Sequence, residues 1–167
     1  MKCLRLDCAR RRSQRGAAAV EFALIMPILL MLVFGAIQYG IYFWSSQGGS
    51  DAARSASRSA ATTEPVACDA FRDAVVAQIN PYRSDGTRVT IERHYYQQAN
   101  PTVPVAAATD VAVGDLVEVH VRFESIDLGL PLIPTIQDGI VDTTAKTRVE
   151  FLNGGNPEDC SYVNYLP

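Results

Sequence analysis

The chain has 167 residues, 48% of them hydrophobic and 20% charged, with a formal net charge of −3. That length leaves room for one membrane helix and one modest domain of about 100 residues or slightly more. Residues 1–16 carry six basic groups against one acid, +5, and the remainder nine against seventeen, −8; an acidic remainder argues against nucleic-acid binding, which needs a cationic face.

The basic segment, Lys2 to Arg15, ends at Gly16. Four small or apolar residues, Ala17-Ala18-Ala19-Val20, then precede a lone acid, Glu21. From Phe22 to Trp44 there is no charged residue. A helix of that length rises roughly 35 Å, enough to cross a bilayer. Basic residues beside a span stay in the cytoplasm, so the expected orientation is N-in, C-out. Glu21 falls at the cytoplasmic end of the span, where a charge is disfavoured and usually has a purpose. The run is longer than the core of a secretory signal, and Ile41-Tyr42-Phe43-Trp44 suits the outer membrane interface. The helix is therefore expected to stay attached, with Pro27 bending it. Ala36 and Gly40 form a small-xxx-small pair for helix contact.

Ser45 to Ser50 reads as a polar exit from the membrane, and Asp51 to Ala61 as an alanine-rich helix with Arg54 and Arg58 on one face. Residues 17–62 are expected to form one long helix, weakened at Gly48-Gly49 and stopping before Glu64-Pro65. A second helix is expected from Asp69 to Ile79, with Phe71, Val75, Val76 and Ile79 on one stripe. Three strands follow. Thr87–Tyr95 alternates imperfectly through Val89, Ile91 and His94. Asp115–Glu124 alternates best, with Glu118, His120 and Arg122 opposite the apolar positions. Thr143–Leu152 is the third. Asn100 to Pro104 reads as a loop. Helices first and strands afterwards indicate an α+β fold, a long transmembrane helix carrying a small domain with a second helix and a three- to four-stranded antiparallel sheet. The expected divisions are a basic leader at 1–16, the membrane helix at 17–44, a polar and alanine-rich extension at 45–64, and an extracytoplasmic domain at 65–167.

Topology sorts the four cysteines. Cys3 and Cys8 lie in the leader, whereas Cys68 and Cys160 lie outside, where disulfides persist. A Cys68–Cys160 bond would tie the tail 153–167, otherwise expected to fray, back onto the core; two free thiols are the alternative. No nucleophile elbow, zinc-binding motif or phosphate loop is present. His94 and His120 each fall on an expected strand among charged neighbours, which reads as a solvated face rather than metal or acid–base chemistry. The expectation is a protein that is not an enzyme and needs no cofactor. The segment Ile126 to Pro134 is unusually apolar for a connection. It reads either as a cover over one end of the core or as a patch for a partner or the membrane surface.

The stretch Arg15-Gly16-Ala17-Ala18-Ala19-Val20-Glu21-Phe22-Ala23-Leu24, with Pro27, Phe34-Gly35 and Ala52-Ala53-Arg54-Ser55-Ala56-Ser57-Arg58, resembles the TadE-like family, the minor pseudopilins of tight-adherence (Flp) pilus systems. The resemblance spans roughly residues 15–60 and implies a pilin-like fold. It also implies cleavage between Gly16 and Ala17 by an inner-membrane aspartyl prepilin peptidase. Glu21, followed by Phe22, would then be an acid five positions into the mature chain, its carboxylate pairing with a neighbouring subunit's new amino terminus. The implied partners are the peptidase, other pilins and pseudopilins, and the membrane platform. An untrimmed, single-pass binding module is the competing reading.

Overall fold

A computed structural model describes residues 5–62, 67–105, 111–130, 133–134, 136–150 and 159–166, with side chains in the first helix described from Gly16 onward. Helix α1 spans Arg5–Thr62, 58 residues, and would be about 87 Å long if straight. It starts earlier than the sequence suggests, because the Arg, Leu, Ala and Gln of the leader are good helix formers. Gly48 and Gly49 do not interrupt it. The expected stop at Glu64-Pro65 lies outside the described residues. Helix α2 spans Cys68–Ile79 and buries Phe71, Val75 and Ile79, one residue per turn. A single 3-10 turn, Asn80–Tyr82, follows it, with Pro81 ending the α-helical pattern.

Among the described residues, five strands form one antiparallel sheet: β1 Val89–Gln97, β2 Asn100–Pro104, β3 Leu116–Glu124, β4 Ile140–Arg148 and β5 Cys160–Tyr165. The order is β2-β1-β3-β4, with β5 also on β1. Thus α+β is observed, with one strand more than the sequence suggests at most. Two segments differ from expectation. Asn100 to Pro104 is an edge strand rather than a loop, joined to β1 through Tyr96 opposite Pro104 and Gln97 opposite Asn100. Its prolines are tolerated there because an edge strand leaves one row of N–H groups unpaired anyway. Within the expected tail, Cys160–Tyr165 is likewise a strand, with Ile91 opposite Tyr162 and Arg93 opposite Cys160. β4 begins three residues earlier than expected, after Gly139 turns the chain at φ 74°. Residues 151 and 152, assigned to that strand from sequence, lie outside the described residues.

One face of the sheet is covered by α1 and α2. Val89, Ile91 and Tyr95 of β1 meet Val117, Val119, Val121 and Phe123 of β3 beneath Ala52, Ala53 and Ala56 of α1. The alternation of β1 is cleaner than its sequence suggests: Arg93, not His94, takes the inward position. Small residues let the helix come close. A Cβ on Gly49 would sit 2.9 Å from Phe123 and 3.0 Å from Val141, and one on Gly48 would sit 2.5 Å from the Tyr82 ring. The paired glycines therefore act as contact points rather than as a weak junction. Hydroxyls supplement the contact, Ser57 with Thr147 at 2.9 Å and Ser50 with Thr143 at 3.4 Å. Glu150 N–H donates to the Ala61 carbonyl at 3.0 Å, satisfying one of the orphan acceptors at the end of α1.

Candidate processing and assembly site

From Gly16 to Phe34 the helix is almost bare. Val20, Phe22, Leu24, Ile25, Ile28 and Leu32 are each more than 60% exposed. The most apolar 18-residue window of this helix has a mean hydropathy of 2.5, and none of it is buried against the domain. By length and composition, α1 is able to cross a membrane. Gly16, Ala17, Glu21 and Phe22 are all exposed. A Cβ at Gly16 would meet nothing within 4 Å, so the fold itself imposes no demand for glycine there. Ala17 and Glu21 are four residues apart and so lie on one face, one turn from each other. The scissile bond expected between Gly16 and Ala17 lies within continuous helix.

From Gln38 onward the same helix becomes part of the domain. Gln38 is 3% exposed and its Oε1 accepts the Leu128 N–H at 3.2 Å. Tyr42 donates its hydroxyl to the Ile140 carbonyl at 3.3 Å, and the Trp44 and Tyr82 rings meet edge to face at 4.7 Å. Ala36 and Gly40 point away from these contacts, exposed, with open space above Gly40. Arg54 and Arg58 share the exposed face as expected, Arg54 lying 3.9 Å from Asp51.

Cys68 and Cys160 form a disulfide, with Cα atoms 5.5 Å apart and 92 residues between them in sequence. The bond joins the start of α2 to β5, reinforced by Tyr162 donating to Asp69 at 2.8 Å and by Arg72 over the Tyr162 and Tyr165 rings. Beneath it lies Arg93, 1% exposed, which sequence reading did not single out. Its guanidinium stacks 4.5 Å from the Phe71 ring centre and donates from Nη2 to the Cys160 sulfur at 3.1 Å. The aromatic faces offset part of its desolvation cost. Its only sequence signal was period: residues 89, 91, 93 and 95 share a face whatever their polarity.

The other face of the sheet is polar. His120 is held between carboxylates from both neighbouring strands, Nδ1 3.1 Å from Glu92 and Nε2 2.8 Å from Asp142. Burial pulls its pKa down, but the hydrogen bonds with Asp142 and Glu92 outweigh it, and the net value is raised above that of an ordinary histidine. Lys146 pairs with Glu118 at 2.9 Å, and His94 with Asp159 at 3.3 Å. Among the described residues no group of three or more His, Cys, Asp or Glu side chains is arranged to hold a metal ion. His120 thus sits in the cross-strand pairing of a solvated face, and His94 lies beside Asp159, the residue before β5. Asp115, 6% exposed, accepts from the N–H groups of Gln98 and Ala112 at 2.9 and 2.8 Å and fixes the turns on either side of the β2 edge.

The model of the TadE-like protein family matches residues 16–58, the part of α1 that starts at Gly16 and runs through the alanines packed on the sheet. No curated protein matches the chain, and no solved structure does.

Proposed function

From this TadE-like segment we propose that the chain is a minor pseudopilin of a tight-adherence (Flp-type) pilus system, non-enzymatic and without a cofactor. It is inserted with its basic leader in the cytoplasm, trimmed between Gly16 and Ala17 by a prepilin peptidase, and used to assemble or anchor the pilus. The observation that carries this reading is that the family match begins at Gly16, the residue after which the cut is expected, and follows the exposed apolar helix into the domain. Trimming creates a new ammonium at Ala17, on the same helix face as Glu21. In a packed array of such helices, a neighbouring subunit's ammonium can neutralise the Glu21 carboxylate and offset its cost in lipid. The bare Ala36–Gly40 face suits close approach of another helix, since small residues let backbones approach.

The test is Glu21→Ala in an otherwise wild-type cell. Cleavage survives at least in part, because the side chain lies beyond the scissile bond, while piliation falls for lack of charge complementarity between subunits. Normal piliation with Glu21→Ala would remove the assembly role.

A further inference from the structure

We infer that the loop from Ile126 to Leu130 is a second membrane contact, an apolar tip seated in the outer leaflet beside α1, with lipid rather than protein as its partner. Three observations meet here. First, the loop is docked on the span itself. Its Leu128 N–H binds Gln38 Oε1 at 3.2 Å. Gln38 lies six residues before Trp44 on the same helix, hence about 9 Å deeper toward the cytoplasm along its axis. With Trp44 at the interface, Leu128 stands at or just below the boundary between headgroups and hydrocarbon.

Second, the loop's hydrogen bonds suit that depth. An amide such as Gln38 is costly in hydrocarbon unless partnered, and it is 3% exposed within a helix otherwise largely bare on its membrane side. Irregular backbone at membrane depth is tolerated where its polar groups are satisfied by protein. Besides the Leu128 N–H, the Gly129 N–H is satisfied by Asp127 Oδ1 at 2.9 Å, and the Ile133 N–H points to the Leu130 carbonyl at 3.4 Å. Pro134 carries no N–H at all.

Third, among the described residues the tip leaves the Leu128 side chain exposed between half-buried Ile126 and Leu130. Leu128 is 46% exposed, on a loop tied to a helix whose adjacent surface is apolar and bare. Asp127, also exposed, sets the limit of insertion. Its charge belongs with the headgroups, so the contact is shallow. The domain then meets the membrane at two points, α1 and this loop, which fixes its tilt on the surface instead of leaving it to turn freely about a single stalk.

The contact presupposes that α1 spans the bilayer, and the experiment separates the two claims. The full chain is reconstituted in phosphatidylcholine vesicles containing lipids brominated high on the acyl chain, and tryptophan emission is read. In the wild-type chain, Trp44 alone reports the span. In W44F/L128W, emission from position 128 shifts to the blue, is largely lost to the brominated lipid and resists aqueous acrylamide. In W44F/V163W, on the exposed β5, it responds only to acrylamide. If L128W does not reconstitute, L130W takes its place. Quenching of Trp44 without quenching at 128 or 130 overturns the loop contact and leaves the span standing. A tryptophan at 128 shielded from both quenchers overturns it too, since the tip would then be covered by protein. Loss of quenching at Trp44 itself rejects the span, and the loop contact with it.

Discussion

Along α1, the stretch from Gly16 to Ile37 and the stretch from Gln38 to Thr62 share one helical period but present opposite side chains. The first carries large apolar groups on every side, and they are exposed; the second carries Gly49, Ala52, Ala53 and Ala56 toward the sheet, and they are buried. Size, rather than hydropathy, separates a helix that waits for partners from one that has already packed. A bulky apolar residue on the inner stretch has nothing of its own chain to fill. On the outer stretch a single added methyl group would collide with Phe123 or Tyr82. The stretch from Gly16 to Ile37 thus leaves its apolar groups bare of the domain, and the stretch from Gln38 to Thr62 is shaped by the domain.

Substitutions and changes of conditions at both stretches and in the domain sharpen that contrast. The largest effect is expected at Gly16→Phe, which should abolish trimming while leaving insertion and the domain's melting temperature unchanged. The fold leaves open space around that position, so a loss of cleavage would report on the peptidase's access to the backbone rather than on folding. Immunoblots of precursor and mature chain would show it, and normal trimming would place the specificity elsewhere.

Reducing the Cys68–Cys160 bond should destabilise the domain by about 2–4 kcal/mol, read from denaturant unfolding with and without reductant. The bond closes a long loop and holds β5 beside Arg93, so unchanged stability would mean that pairing of β5 with β1 suffices alone. Gly49→Val should cost about 1–3 kcal/mol by overpacking against Phe123 and Val141. Ala19→Val, on the bare stretch, should leave domain unfolding unaltered; equal effects at the two sites would erase the distinction between the halves.

The smallest effect concerns pH. The His120 pKa is raised in the folded state, so its pairing with Glu92 and Asp142 contributes fully below the unfolded histidine value near 6.5 and is lost as pH rises through the raised value. Stability should decline modestly over that window, by no more than about 1 kcal/mol for so exposed a pairing, and His120→Gln should flatten the decline. Thermal melts between pH 6 and 8 would decide, and an unchanged slope in His120→Gln would assign the dependence to other groups.

What the sequence revealed depended on whether the signal was local. The uncharged run to Trp44, the turn-spaced Phe71, Val75 and Ile79, and the alternation of β3 are local patterns, and each is found in the structure. β5 was missed because its stability comes from pairing with residues about 70 positions away and from a disulfide, neither of which marks the segment itself. β2 was missed because two prolines suggest a loop, although an edge tolerates them. The charge of Arg93 argues for an outward position in β1, but period sets it inward, where aromatic and sulfur neighbours take the cation. Of the proposed processing site, Gly16 to Phe22 stands out in the sequence as a small-residue stretch ending in a lone acid. Its exposure along a bare helix, and the turn at which Gln38 brings α1 into the domain, required the folded chain.

The most direct test of the central claim is the intact mass of the chain recovered from cells that carry the prepilin peptidase. The account predicts a mature protein starting at Ala17, with the whole apolar helix retained. A chain starting at Met1 in those cells would contradict it and support an untrimmed, membrane-anchored binding module.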